Sequence, residues 1–290
     1  MPASENPIVG ANVLLKAGAV LVGGQTGATL THTANALDLA VKGQGLWGDQ
    51  LDGEHEFSIS LPALETESDG THRVGADGTV SITVDDGTGA VTVPGLSELT
   101  VTLSNEFDDR AGLDDPLWRQ IAVVGKSMEA SLTGDWYDPN ATSGAAYAML
   151  DALIDPSTAT DTLEIVFSFG SFQLSGSVRA SDMELDFPGA GEGLTQASFT
   201  LGNSGAMAAG GAAIDSGLQA LVDAYFNETQ VSALIEQQDG AGAELDGATG
   251  FSGNALVEQI EMSASRAEAL TISTDLVGDG ALTTLDQVVP

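Results

Sequence analysis

Phe57-Ser58-Ile59-Ser60-Leu61 alternates strictly between apolar and small polar residues, the period-two pattern of a strand with one wet face. Trp47 and Gly53 precede it. The same order returns further along as Trp118, Gly125 and Met128-Glu129-Ala130-Ser131-Leu132. A second set of features is also doubled. Leu150-Asp151-Ala152-Leu153-Ile154, Ser175-Gly176, Met183-Glu184-Leu185 and Gly202-Asn203-Ser204-Gly205-Ala206 form one copy. The other is Val222-Asp223-Ala224-Tyr225-Phe226, Ser252-Gly253, Ile260-Glu261-Met262 and Gly278-Asp279-Gly280-Ala281. With the halves named a and b, the chain reads a, a′, b′, b. That nesting results when one copy of a domain is inserted in a loop of another, and a repeat of this size decides the fold. One large β-domain with generic hairpins is the alternative.

The expected division is residues 1–95 and 208–290 for one module, with residues 96–207 as the inserted one. A chain that carries a module twice offers quasi-equivalent surfaces to its own copies, which points to assembly before catalysis.

The 290 residues are enough to bury a proper core. The chain holds 42 Asp and Glu against 8 Lys and Arg, a net charge of −34, while its hydrophobic content of 42% is that of a folded protein. The acids are scattered through patterned segments, so the expectation is a uniformly acidic surface, as in proteins of salt-loving organisms. Molar salt shortens the screening length to about 3 Å and removes most of the self-repulsion. Cysteine is absent, which excludes disulfides and thiolate metal sites. Met1 to Pro7 has no basic region leading into an apolar run, and no segment reaches the roughly 20 apolar residues of a membrane helix. The charge inventory excludes a basic nucleic-acid-binding patch.

Along the chain, Val13-Leu14-Leu15 and Ala17 to Val22 suit an arm that docks on its own fold or a neighbour. Ala28 to Leu30 and Ala36 to Val41 read as short strands. Residues 65–95, with turns at Asp69-Gly70, Asp77-Gly78 and Asp85-Asp86-Gly87, read as an excursion of hairpins from the first module. The inserted copy begins near Leu99-Thr100-Val101-Thr102-Leu103. A helix is predicted from Ser143 or Gly144 to about Ile154, stopped by Asp155-Pro156. Leu163, Ile165, Phe167 and Phe169 alternate along the next strand. Met183, Leu185 and Phe187 alternate with Asp182, Glu184 and Asp186 along another. Ala206 to Ala213 reads as a small-residue linker, and a second helix is predicted from about Asp215 to Phe226. The sum is an α+β arrangement, mainly β, with one helix per module.

Signals for chemistry are weak. His32, His55 and His72 have no partners at metal-ligand spacing, and no Gly-x-Ser-x-Gly elbow or phosphate loop occurs. The Asp-Gly turns lack the full calcium-loop pattern. Asp108-Asp109 and Asp114-Asp115 are paired carboxylates in a chain whose composition already supplies them. Trp47 and Trp118, each ahead of a strand, suit packing better than a stacking platform. No catalytic residue, cofactor site or metal site is assigned, and the expectation is a protein that is not an enzyme.

Gly24-Gln25-Thr26-Gly27-Ala28-Thr29-Leu30, Gly45-Leu46-Trp47, Gly53 and the strand from Phe57 resemble the first half of major tail tube proteins of long-tailed viruses. Residues 141–207 and 214–283 are similar to two renditions of that family's second half. The resemblance implies a β-sandwich or partial barrel flanked by a helix, present here twice. It further implies rings that stack into a tube for double-stranded DNA, and a virion tail assembled in the host cytoplasm; the acidic composition adds the expectation of a haloarchaeal host. The implied partners are further copies of the chain in a trimeric pseudo-hexamer, together with the tape measure, tail terminator and baseplate proteins. DNA passes without specific binding, and no membrane is involved.

The alternation independently suits a sheet lining a polar conduit, as it suits ordinary solvated strand faces. The candidate lumen-lining residues are Glu54, Glu56, Ser58, Ser60, Glu129, Ser131, Asp182, Glu184, Asp186 and Glu261, with Phe57, Met128, Met183, Leu185 and Ile260 expected in the core. Two rival readings are a β-sandwich adhesin or receptor-binding module, and a carbohydrate-active enzyme built on two of the carboxylates.

Overall fold

Alternating residues become antiparallel ladders in the computed structural model, which describes residues 13–18, 20–21, 28–34, 37–39, 49–51, 55–64, 80–110, 118–137, 144–154, 162–188, 194–211, 216–237, 250–266 and 270–285. Trp47, Gly53, Glu54, His72, Asp114-Asp115 and the turns at 69–70 and 77–78 lie outside these residues. The first strands are β1 (Val13–Ala17), β2 (Val20–Leu21), β3 (Thr29–Ala34), β4 (Leu37–Leu39), β5 (Asp49–Leu51) and β6 (His55–Leu64). Then come β7 (Val80–Asp85), β8 (Val91–Thr92), β9 (Leu96–Asp109), β10 (Ile121–Asp135) and helix α1 (Ala145–Ala152). Strands β11 (Leu163–Phe169), β12 (Phe172–Asp186), β13 (Gln196–Asn203) and β14 (Ala208–Gly211) lead to helix α2 (Ser216–Asn227). The chain closes with β15 (Val231–Gln237), β16 (Gly250–Ser265), β17 (Thr271–Gly278) and β18 (Thr283–Leu285). The fold is α+β and mainly β, one large open sheet beside the small β4–β5 ladder.

Two sets of strands share one plan. In the first, which we call module A, the β1–β2 hairpin pairs with β15, and β15 pairs with the start of β16. β16 then pairs with β17, β17 with β6 and β6 with β3, while β18 lies on the start of β16. In module B the β7–β8 hairpin pairs with β11, and β11 with the start of β12. β12 pairs with β13, β13 with β10 and β10 with β9, while β14 lies on the start of β12. A bulge falls at the same place in both, between Val257 and Gln259 in β16 and between Ala180 and Asp182 in β12. The modules join through one further ladder, β9 against the second half of β16, from Ser104↔Gln259 to Glu98↔Ser265.

Two expectations need correction. The described part of the 65–95 excursion belongs to module B, because Val80–Asp85 pairs with β11 along its whole length. Its alternating Val80, Ile82 and Val84 are buried, and β11, which buries Ile165, Phe167 and Phe169, supplies the matching ladder. Within the expected linker, Ala208–Gly211 is a strand on β12. Its four residues are all exposed, so the backbone pairing with β12 and not burial defines it.

Both helices lie close to their expected positions. α1 buries Ala146, Tyr147 and Leu150, and the Tyr147 hydroxyl donates to the Pro94 carbonyl at 2.9 Å. α2 buries Leu218, Leu221, Val222 and Tyr225, and ends as Glu228 turns to φ 56°. That left-handed residue cannot continue the helix. Phe57 shows how tightly module A is packed: a Cβ on Gly278 would stand 2.4 Å from its ring, and one on Gly253 would stand 2.7 Å away. Phe57, Met128 and Ile260 are buried as expected, while Met183 and Leu185 are half-buried against the core edge.

Candidate functional site

The ladders set eight strands side by side in the order β3, β6, β17, β16, β9, β10, β13, β12. Directly opposed residues share a face, so the register collects every second residue of all eight strands onto one surface. β3 contributes Thr29, Thr31 and Thr33, β6 Glu56, Ser58 and Ser60, β17 Ser273 and Asp275, and β16 Gln259, Glu261 and Ser263. β9 contributes Glu98, Thr100, Thr102 and Ser104, β10 Glu129, Ser131 and Thr133, β13 Ser198 and Thr200, and β12 Asp182, Glu184 and Asp186. The alternate residues form the core: Ile59, Leu61, Leu99, Val101, Leu103, Ala130 and Leu132 among them.

The described residues nominated from the sequence, Glu56, Ser58, Ser60, Glu129, Ser131, Asp182, Glu184, Asp186 and Glu261, all fall on this face, and Glu54 lies outside the described residues. The threonines of β3 and β9, with Glu98 and Asp275, were missed. Their signal is present in the alternation of Leu99-Thr100-Val101-Thr102-Leu103.

Arg179 on β12 lies opposite Gly202, which lies opposite Glu129, and so places a cation within this face; further cations stand at its two ends. Arg119 Nη1 lies 3.2 Å from Glu56 Oε2, and its Nε lies 3.5 Å from Asp109 Oδ2. At the other end Arg266 Nη2 lies 3.3 Å from Asp135 and donates to the Gly95 carbonyl. Between them, hydroxyls meet across strands, Thr100 with Ser263 at 3.1 Å and Thr133 with Ser198 at 3.0 Å. Glu258, the extra residue at the β16 bulge, has its carboxyl pushed above the ordinary range by partial burial and then by Asp275, with Arg119 opposing.

The seam between modules is built from polar anchors around an apolar gap. Asn105 Nδ2 donates to the Val257 carbonyl at 2.7 Å. The Tyr225 hydroxyl reaches the carbonyls of Ser104 and Ser127, and burial pushes its pKa up to about 12. Lys126 Nζ donates to the Phe226 carbonyl at 2.9 Å, pairs with Glu228 at 2.9 Å and stands over the Tyr225 ring. A cavity of about 490 Å³ lies here, lined by Leu103, Met128, Met207, Tyr225, Phe226 and Lys126 among others. Lys126, Arg119 and Arg266 thus place scarce cations at the seam, where each meets the other module.

His32 and His55 lie side by side in an exposed position. Their Nε2 and Nδ1 atoms are 3.1 Å apart, and both rings pack against Trp118 at 5.3 and 5.2 Å between centroids. Pairing of β3 with β6 brings them together, which their separation in sequence concealed. Among the described residues, no group of three or more His, Asp or Glu side chains is arranged to hold a metal ion.

No family model matches the chain, and no curated protein matches it in sequence. Among solved structures it is similar to a chain in the virion of a native gene transfer agent particle, with 16% identity and a TM-score of 0.38 over 47% of this chain and 99% of that one. It is also similar to a chain in the tail of an empty gene transfer agent particle, with 19% identity and a TM-score of 0.37 over 48% and 100%. A chain of the anti-feeding prophage baseplate gives 10% identity and a TM-score of 0.37 over 50% and 97%. Each of those chains is matched nearly whole by about half of this one.

Proposed function

We propose that the chain is a structural subunit of a viral tail tube and not an enzyme. In this reading its eight-strand polar face lines the conduit for double-stranded DNA. The observation that carries it is the continuous face bearing Glu56, Glu98, Glu129, Asp182, Glu184, Asp186, Glu261 and Asp275, whose carboxylates far outweigh Arg179, the cation between its ends. Carboxylates in this excess repel phosphate, so a duplex meets little adhesive contact and slides. Even where molar salt confines that repulsion to about 3 Å, it still acts at the wall itself. The tail-tube resemblance of the sequence supports the same reading.

Each chain carries two modules, so the ring contains three chains with pseudo-sixfold symmetry. Three sheets of eight strands at about 4.8 Å spacing give a barrel roughly 37 Å across before strand tilt widens it. Closure also removes the exposed strand edges that would template aggregation. Rings stack into the tube, whose ends meet the terminator and baseplate proteins and whose interior holds the tape measure before ejection. The charge of −34 fits assembly in the salty cytoplasm of a haloarchaeal host. Electron microscopy of the purified protein in molar salt tests this. Stacked rings of three chains are expected, and rings of six chains or a protein that never forms rings would overturn it.

A further inference from the structure

The seam inside the chain contains a template for the contact between chains. It joins β9 of module B to the second half of β16 of module A. By the shared topology, β3 is the module A counterpart of β9, and β12 is the module B counterpart of β16. Both counterparts are open where the seam is closed. Among the described residues β3 pairs with β6 alone, and residues 182–186 of β12 pair with β13 alone.

We infer that residues 182–187 of one copy pair antiparallel with residues 28–33 of the next, in the register of the internal seam. Aligning the two bulges and the two β6-like strands turns Gln259↔Ser104, Glu261↔Thr102 and Ser263↔Thr100 into Asp182↔Thr33, Glu184↔Thr31 and Asp186↔Thr29. Deduced in the same way, the core face sets Met183 against His32, Leu185 against Leu30 and Phe187 against Ala28.

Three observations favour this occupant. Exposure comes first: Phe187 is 70% exposed, whereas its counterpart Ala264 is 4% exposed beneath Leu99. Size comes second. Inside the chain a small Ala264 faces a large Leu99, and between chains a large Phe187 faces a small Ala28, so both junctions hold one bulky and one small side chain. Charge comes third. The β12 edge carries Asp182, Glu184 and Asp186, and β3 offers threonine hydroxyls with no carboxylate, as Thr102 does opposite Glu261. Pairing of β12 with itself would set carboxylate against carboxylate, which is destabilising. The contact is therefore head-to-tail and propagates around a ring.

The interface rests on the tube reading only for closure of that ring, and the test separates the two. The chain has no cysteine, so Thr31→Cys with Glu184→Cys, and separately Thr29→Cys with Asp186→Cys, introduce the only thiols. Directly opposed residues of an antiparallel ladder have Cα atoms about 4.5–5.5 Å apart, within disulfide reach. Oxidation in molar salt should link both variants into covalent multimers. Thr31→Cys with Leu185→Cys, whose side chains leave opposite faces, should remain unlinked. Unlinked in-register variants in a salt where sedimentation shows the protein assembled would overturn the register. So would equal linking by the out-of-register pair, or a protein monomeric at every salt concentration. Linked multimers without tubes by microscopy would uphold the interface and overturn the conduit.

Discussion

Asn105 on β9 reaches across the seam to the carbonyl of Val257, which β16 presents at the bulge that shifts its register. Val257 is buried, so this side chain takes the place of a ladder hydrogen bond that the bulge disrupts. Asn105 Oδ1 has no partner among the described residues, so the residue contributes through its donor. Replacing Asn105 with Ala leaves a buried carbonyl unpaired and should cost about 1–2 kcal/mol. Asn105→Asp should cost more, because an ionised carboxylate has no donor to offer. Denaturant unfolding at fixed high salt measures both, and equal stability of Asp and Asn at this site would refute the account.

Gly278 and Gly253 leave room for one ring. Because a Cβ on Gly278 would stand 2.4 Å from Phe57, Gly278→Ala should destabilise the protein by about 1–3 kcal/mol. Gly205→Ala, with nothing within 4 Å of the new methyl, should stay within about 0.5 kcal/mol of the parent. Thermal unfolding of the two variants side by side checks the contrast.

Tyr225 makes the seam sensitive to alkali. Burial raises its phenol from 10.0 to about 12, so the folded state favours the protonated form. That stabilisation is present in full below pH 10 and is lost as pH rises through about 12. Tyr147 is raised in the same direction, by burial first and Asp135 second. Stability should therefore fall steeply above pH 10, and Tyr225→Phe should flatten the fall. A Phe variant with the parent's alkaline profile would contradict this.

Lys126 should matter most in dilute buffer. Its pair with Glu228 is partly exposed, so an isolated bridge of this kind contributes only about 0–1 kcal/mol. In a chain of net charge −34, however, the cation also offsets repulsion that is long-ranged at low ionic strength. The stability lost in Lys126→Met should shrink as salt rises to molar concentration. The parent's melting temperature should rise over the same range, and differential scanning calorimetry across a salt series follows both.

The alternating pattern by itself determined a great deal. Period-two stretches such as Phe57 to Leu61 and Leu163 to Phe169 fix which side chains are buried, because a strand places alternate residues on opposite faces. The doubled spacing was legible in the sequence because gross spacing survives where residue identity does not. The polar positions of β6, β10, β12 and β16 were readable for the same reason, and they share a face in the structure.

Tertiary structure decided what depends on partners distant in sequence. The placement of Val80–Asp85 followed from the exposed edge of β11, and Ala208–Gly211 became a strand because β12 lay beside it. Neither segment announces its partner, since backbone hydrogen bonds carry no sequence label. The pairing of His32 with His55, the reach of Asn105 to Val257 and the contrast between buried Ala264 and exposed Phe187 are likewise products of register. A one-residue slip would reverse every face, and only the assembled ladder, held by its bulges and its packed core, selects one register over the other.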